Sequence, residues 1–179
     1  MMTETIKQSL EELFPPVETA AAPAVEESTD QDAADDKKKA AATAPRANGV
    51  ITSDYQACGY HVDAQVAPEQ LLAAVSKVNE AGFFIESITG VDWIADNQLE
   101  VVYDFCRYDF DLCRVVIRTR TDRANPEVPT ITEIYSGANW HERETHDFFG
   151  IKFAGHPHLI PLLLPEDADF HPLLKDFKA

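Results

Sequence analysis

The sequence has 179 residues and carries 31 acidic against 15 basic side chains, which gives a formal net charge of −16. This length holds one domain with additional segments rather than two full domains. Nucleic-acid binding needs a basic surface. The charge therefore argues against a nucleic-acid partner and against direct adhesion to anionic lipid.

The cysteines and the hydropathy limit the class of protein further. None of Cys58, Cys106 and Cys113 has the spacing of a metal-binding knuckle, and an odd count does not indicate a disulfide framework. No apolar run reaches the roughly 18 residues of a membrane span, and the acidic N-terminus does not resemble a signal peptide. We expect a soluble protein of a reducing compartment, with membrane contact only through partners.

The N-terminal part of the chain divides into a short helix and a linker. Residues 1–14 place Ile6, Leu10 and Leu13 on one helical stripe, which predicts a short amphipathic helix. Residues 15–47 are rich in alanine, proline and acidic residues and nearly lack large apolar ones, which predicts a disordered linker. Two interpretations stay open for the helix: a docking peptide that makes the chain an adaptor, or a frayed terminus.

The folded part is predicted to start near residue 48 and to reach residue 152. Its first elements are predicted to be a strand over 57–66, a helix from Pro68 to Gly82, a strand over 83–88 and a turn over 89–93. The apolar spacing predicts that the buried stripe of this helix is Leu71, Leu72, Val75 and Val78. A strand that follows a helix in this way favours a mixed α+β domain.

A hairpin forms the centre of the predicted domain. Residues 99–106 alternate apolar with acidic side chains and residues 112–120 alternate apolar with basic ones, which predicts two strands. The basic side chains Arg114, Arg118 and Arg120 fall on one side. They either pair with nearby acids on a solvated face or bind an acidic partner. Cys106 and Cys113 flank the hairpin and could face each other, although small buried residues are the simpler interpretation.

A capping box and a charged helix follow the hairpin. Thr130 with Glu133 predicts a short helix that ends near residue 136. A second helix from residue 140 ends at Gly150, which can adopt a left-handed conformation. The fold class predicted from these elements is α+β, with a small mixed or antiparallel sheet, helices on one side, an extended C-terminal tail and a disordered N-terminal segment.

The charges of the helix over 140–150 suggest ion pairs. Arg143 and Asp147 lie four residues apart, as do Glu142 and His146, so each pair shares a face. The carboxylates of this helix could perform acid–base chemistry. Because Arg143 and Lys152 are close enough to balance them, a structural ion network is the preferred interpretation.

The segment over 153–179 is predicted to be an extended tail. Its four prolines, Pro157, Pro161, Pro165 and Pro172, prevent a long helix. The segment is nevertheless rich in leucine, isoleucine and phenylalanine, so exposure to water is unfavourable. A tail without periodicity favours burial on a partner.

Histidine-based metal chemistry is the alternative from another functional class. His141 and His146 lie five residues apart, so they are rotated by roughly 140° on a helix and cannot easily share a metal ion. His156 and His158 flank a proline without a third ligand nearby. The sequence also contains no glycine-rich phosphate loop and no marked nucleophile. We therefore predict no catalytic, cofactor-binding or metal-binding residue in this chain.

A motif in the last third of the chain resembles a known family. The pattern is E-R-E-x-x-D-x-x-G-I-x-F-x-G-H-P-x-L, followed by the later H-P-L-x-K-D. It is filled by Glu142, Arg143, Glu144, Asp147, Gly150, Ile151, Phe153, Gly155, His156, Pro157 and Leu159, then by His171, Pro172, Leu173, Lys175 and Asp176. These residues resemble the family of the thirty-kilodalton subunit of respiratory complex I, which is NADH:quinone oxidoreductase. The resemblance covers roughly residues 65–177.

The resemblance implies a peripheral-arm subunit without a redox centre of its own. In the family, this subunit packs against a large subunit that is homologous to the NiFe-hydrogenase large subunit, and an iron–sulfur small subunit belongs to the same complex. Iron–sulfur clusters, with either NiFe or quinone and NADH, would be held by the partner subunits. The implied location is the cytoplasmic side of the cell membrane. The same module occurs in energy-converting NiFe hydrogenases.

The resemblance also assigns expected roles and shows departures. Glu142, Arg143, Glu144 and Asp147 would organise the helix, while Gly150 and Pro157 set the chain path. The residues expected to anchor the tail on the large subunit are His156, His171, Lys175 and Asp176, with Pro172 in the same motif. The complex I branch usually has arginine near Ile160 and at Leu174, and an aromatic at His146. These departures favour the hydrogenase branch over NADH:quinone oxidoreductase proper.

Overall fold

A five-stranded sheet forms the centre of the computed structural model, which describes residues 2–14, 46–109 and 112–178. The strands are β1 (Gly49–Thr52), β2 (Val62–Val66), β3 (Phe84–Trp93), β4 (Gln98–Arg107) and β5 (Cys113–Asp122). Their order across the sheet is β1-β2-β5-β4-β3, with β2 parallel to β5 and the other neighbours antiparallel. The fold is the predicted α+β class with a mixed sheet.

The helices and a second, two-stranded sheet complete the fold. The helices are α1 (Met2–Glu11), α2 (Tyr55–Cys58), α3 (Leu71–Glu80) and α4 (Ala138–Phe149). The smaller sheet joins β6 (Glu127–Pro129) to β7 (Lys152–Ala154) in parallel. This pairing is absent from the sequence prediction. It brings the start of the tail beside the segment that precedes α4. None of the helices described here is long and apolar enough to cross a bilayer.

One face of the large sheet carries the hydrophobic core. Side chains of α1, α3 and α4 join apolar residues from alternate positions of β2, β4 and β5 in a single buried cluster. The close approach of α4 to β3 requires Gly90, because a Cβ atom at that position would overlap the ring of Phe149. Glycine is the residue that permits such an approach. The segment over 89–93, predicted as a turn, is instead the second half of β3.

The opposite face of the sheet is covered by charged side chains. Arg118 bonds the carboxylate of buried Asp63 at 3.2 Å, and Arg120 bonds that of buried Glu100 at 3.1 Å. Arg114 pairs with Glu86. The predicted arginine row therefore lies on one side and is paired with acids of this chain. This result confirms the predicted pairing with nearby acids, and binding of an acidic partner stays a prediction.

The N-terminal helix lies on its own domain. Ile6 and Leu10 of α1 are 1% and 0% exposed, because α1 packs against α3, β1 and β2. Gln70 donates to the carbonyl of Leu13 at 2.8 Å, and Lys77 pairs with Glu12 at 2.8 Å. The apolar stripe is thus occupied within the chain, so the docking-peptide and adaptor interpretations are wrong for this stripe. Most of the predicted linker, 15–45, lies outside the described residues.

Several local predictions need correction. The strand over 57–66 is shorter, since residues 55–58 form α2 and only Val62–Val66 is a strand. Leu72 is 42% exposed, and Ala74 takes its place in the buried stripe of α3. No regular helix forms over 130–136, although the Thr130 hydroxyl accepts from the amide of Thr132 at 3.2 Å and also donates to Glu142 of α4. Cys106 and Cys113 are free thiols and do not lie opposite each other, since Cys106 pairs with Arg114 and Cys113 with Arg107 across the hairpin.

Candidate partner-binding site

The helix α4 ends where the predicted glycine permits it. Gly150 has φ 75° and donates its N–H to the carbonyl of His146 at 2.8 Å. This left-handed end turns the chain back along α4. A Cβ atom at position 150 would lie 2.6 Å from Nε2 of His171. Glycine is therefore required for the backbone angle and for the contact with the returning tail.

Asp147 binds the backbone of the tail. Its Oδ2 accepts hydrogen bonds from the amides of Leu162, Leu163 and Leu164 at 2.8, 2.7 and 3.2 Å. Burial alone would raise the pKa of Asp147, but these three bonds outweigh it and lower the pKa below its ordinary value. The predicted ion pair with Arg143 is wrong, since the carboxylate is used by three amides.

Arg143 binds the carbonyls that precede those amides. Its Nε and Nη2 donate to the oxygens of Ile160 and Pro161, both at 3.0 Å. The guanidinium lies 5.2 Å from the ring centroid of Trp140, and Arg143 is only 8% exposed. One turn of α4 therefore supplies donors and acceptors to consecutive peptide groups of an irregular segment. These bonds replace the internal ladder that a helix or strand would provide.

Glu142 points to the opposite side of α4, into the protein. Its side chain is 0% exposed, and its carboxylate accepts from Oγ1 of Thr130 at 2.5 Å and from the amide of Ile131 at 2.8 Å. Burial outweighs these two bonds and raises the pKa of Glu142 to about 7. The predicted contact with His146 is wrong, because His146 Nδ1 donates to the carbonyl of Ile151 at 2.9 Å.

His156 and Pro157 begin the tail just after β7. His156 Nδ1 accepts from the amide of His158 at 3.0 Å, so the proton lies on Nε2, which faces the carbonyl of Asn139 at 3.3 Å. The same Nε2 is 3.9 Å from Oε2 of Glu142. Burial lowers the pKa of His156. The exposed Pro157 follows in the same turn.

The end of the tail is bound to the sheet and to the end of α4. His171 Nδ1 donates to the carbonyl of Asp147 at 2.8 Å, with Pro172 next in the chain. Asp92, which is 3% exposed, accepts from the amide of Lys175 at 2.9 Å. Arg123 bonds Asp92 at 3.0 Å and Asp176 at 2.5 Å. The backbone of Lys175 and the side chains of His171 and Asp176 thus anchor the tail on this domain, and their roles toward a partner stay predictions.

Several large apolar side chains of this region are exposed to solvent, although Leu159 and Leu174 pack against the core. Trp140 is 60% exposed and Leu163 61% exposed, in contrast to the buried polar atoms beside them. The exposed apolar residues of α4 and the tail are Trp140, Ile160, Leu163, Phe170, Leu173 and Phe177. We call this set the tail surface. A concentration of exposed large apolar residues is typical of a protein-binding region.

The carboxylates of α4 and the four histidines around it are the residues that could form an ion network or a metal site. Glu144 is exposed and the carboxylates of α4 do not converge, so the predicted ion network is not formed. In residues 2–14, 46–109 and 112–178, no three His, Cys, Asp or Glu side chains are grouped to hold a metal ion. His141, His146, His156 and His158 therefore do not assemble a metal centre in the part of the chain that the structure describes.

Sequence reasoning missed three residues of this site. Asp92 lay in a stretch predicted as a turn, and Arg123 follows the predicted hairpin, so neither was connected with the tail. Thr130 was predicted only as a helix cap, and its hydroxyl also donates to the carboxylate of Glu142. A single aspartate inside an apolar strand was the available signal for Asp92, since a buried charge requires partners.

The fold and site define a small α+β domain that holds an irregular, apolar-rich tail against one helix. Residues 64–179 match the family model described as the respiratory-chain NADH dehydrogenase 30 Kd subunit. The chain belongs to this family.

Relatives and a solved structure extend the likeness. The chain is 40% identical over 123 residues to a subunit of the NADH-quinone oxidoreductase of Moorella thermoacetica, which covers 67% of this chain and 82% of the relative. It is 40% identical over 94 residues to a subunit of the F420H2 dehydrogenase of Methanosarcina mazei, which covers 52% of this chain and 59% of the relative. A chain from the structure of the membrane-bound sulfane sulfur reductase, an archaeal respiratory membrane complex, aligns with TM-score 0.59 and 27% identity over 65% of this chain and 71% of that one.

Proposed function

We propose that this protein is a non-redox structural subunit of a complex I-like respiratory membrane complex. In this role it docks through the tail surface onto the hydrogenase-like large subunit of the peripheral arm. Membership in the 30 Kd subunit family supports the type of complex. The docking role rests on the exposure of the tail surface.

The observation that carries the proposal is the contrast between backbone and side chains in the tail. Arg143 and Asp147 fix the peptide groups of residues 160–164. On this fixed backbone Ile160 and Leu163 remain exposed, at 44% and 61%. A surface that is already ordered loses less conformational entropy on binding. This arrangement suits a permanent interface with another protein of the complex.

The electron-transfer groups of the complex belong, in this proposal, to partner subunits. The large subunit and an iron–sulfur small subunit would hold the iron–sulfur clusters and either NiFe or quinone and NADH chemistry. Attachment would be peripheral, on the cytoplasmic side of the membrane, because the chain would reach the bilayer only through these partners.

The branch of the family is the finer part of the proposal. The departures at His146, Ile160 and Leu174 favour the hydrogenase branch. The 40% identity with subunits of NADH-quinone and F420H2 dehydrogenases favours a dehydrogenase instead. We adopt the dehydrogenase, since identity over at least 94 residues outweighs three positions.

The test is recovery of the tagged full-length chain from solubilised native membranes, with mass spectrometry of the proteins that accompany it. We expect a large subunit that lacks the paired cysteine motifs of NiFe hydrogenases. If the recovered large subunit retains those motifs, the protein belongs to the hydrogenase branch. Recovery of no large subunit would overturn the proposed function.

A matched pair of variants tests the surface itself. Leu163→Ser should reduce the recovered large subunit, because it removes an exposed apolar side chain that makes no internal bond of its own. Ile51→Ser is the control, since Ile51 is 48% exposed and lies on β1 rather than on the tail. Equal recovery with both variants would contradict docking through the tail surface.

A further inference from the structure

A buried acid and a buried imidazole meet where the tail begins. Glu142 joins α4 to the segment that follows β6, through Thr130 and Ile131. His156, on the turn after β7, is 3.9 Å from the same carboxylate. Both side chains are 0% exposed. Three separate parts of the chain thus converge on one titratable pair.

The charged groups around this pair do not neutralise Glu142. Arg143 and His146, also on α4, bond the carbonyls of Ile160 and Ile151 respectively. His158 lies on the tail turn, and its charge contributes to lowering the pKa of His156. From β4, the buried Tyr103 hydroxyl has no hydrogen-bond partner among the described residues, and Glu142 contributes to raising the pKa of Tyr103. Among the described residues, His156 is the basic side chain that lies within 4.0 Å of the Glu142 carboxylate.

We infer that Glu142 and His156 form a proton-linked latch that couples ionisation of the buried carboxyl to the packing of residues 155–158 on α4. When Glu142 is protonated, the pair is neutral and the turn stays closed. A charged Glu142 either draws a proton onto His156 or is left uncompensated. A proton added to Nδ1 of His156 removes the acceptor of the His158 amide. An uncompensated buried charge favours opening to water. The turn is loosened in both cases.

The linkage has a definite sign. Burial raises the pKa of Glu142 from 4.5 to about 7, so the closed state binds more protons than the open state between these values. Opening therefore becomes easier as pH rises through that range and stops changing above it. His156 acts in the opposite direction below its ordinary value of 6.5, because its pKa is lowered in the closed state. A comparison with Glu142→Gln separates the two contributions.

The experiment measures amide hydrogen exchange of the full chain by NMR as protection factors from about pH 4.5 to about pH 8. The ratio of wild-type to Glu142→Gln protection at Ile131 and His158 should fall by up to about tenfold per pH unit up to about pH 7, then level off. Glu144→Gln is the matched control, since Glu144 is exposed on the same helix. It should follow the wild type.

Two results would overturn the latch. One is a wild-type to Glu142→Gln ratio that stays constant with pH. The other is an equal fall at core amides of β4, which would assign the effect to global unfolding. Should Glu142→Gln fail to fold, the wild type alone suffices. In that case the carboxyl 13C signal of Glu142 and the amide signal of His158 must titrate with one midpoint, and separate midpoints would contradict the latch. None of these measurements involves a partner subunit.

Discussion

The N-terminal helix α1 and the C-terminal tail differ in whether their large apolar side chains are buried. Both α1 and the tail carry large apolar residues outside the central sheet. In α1, Ile6 and Leu10 are buried in the core. In the tail, the polar backbone is held by the protein and side chains such as Leu163 are exposed. The difference shows that the apolar stripe of α1 is buried within the chain, whereas the aperiodic tail is held through its backbone by α4 and keeps several large side chains exposed.

The largest expected effect lies in α1. Leu10→Ala should lower the free energy of unfolding by about 3 kcal/mol, because it leaves a cavity at a fully buried position. Chemical denaturation monitored by circular dichroism measures this change. A loss below about 1 kcal/mol would show that α1 contributes little to the core. It would then not differ from the tail in the way described above.

The next effect tests the polar anchoring of the tail. Asp147→Ala should cost about 2 kcal/mol, since three amides lose their acceptor. Limited proteolysis should then cleave near residues 160–164 while the sheet stays intact. Glu144→Ala, on the exposed side of α4, is the control. Unchanged proteolysis of Asp147→Ala would mean that Asp147 does not hold the tail.

The same anchor predicts a dependence on acid pH. The pKa of Asp147 is lowered in the folded protein, so its stabilising effect is present above its ordinary value of 3.8 and is lost as pH falls further. Proteolysis of the wild-type tail with an acid-active protease should therefore approach that of Asp147→Ala at low pH. A constant difference between the two proteins would contradict this assignment.

A smaller effect is expected at Arg143. Arg143→Lys keeps the charge but cannot donate to two carbonyls with a planar fork, nor stack on Trp140 in the same way. We expect a loss of about 1 kcal/mol and partial exposure of the tail to protease. Stability equal to that of the wild type would indicate that charge, rather than geometry, holds these carbonyls.

The smallest effect on stability is expected at the exposed surface of the tail. Leu163→Ser should change the free energy of unfolding by less than about 0.5 kcal/mol, as is usual for an exposed position. Its effect should appear only in retention of the large subunit. A clear loss of stability would show that Leu163 packs within the domain and does not form part of an exposed binding surface.

The parts predicted well from the sequence depend on local patterns. Alternating residues gave the hairpin of β4 and β5, and Gly150 marked the end of α4, because period and glycine conformation are local properties. The contacts of the tail could not be predicted from local patterns. Residue pairs such as Asp92 with Lys175, or Thr130 with Glu142, join distant positions. Spacing four apart suggested that Arg143 and Asp147 pair, but buried peptide groups without a ladder compete for both side chains.

The contact of Gly90 with the ring of Phe149 has a mechanical consequence. Since the ring fills the space above the strand, a side chain at position 90 would push α4 away from β3. Arg143 and Asp147 bind the backbone of residues 160–164 to this same helix. The distance between α4 and β3, which Gly90 sets, therefore also sets how far this part of the tail lies from the sheet.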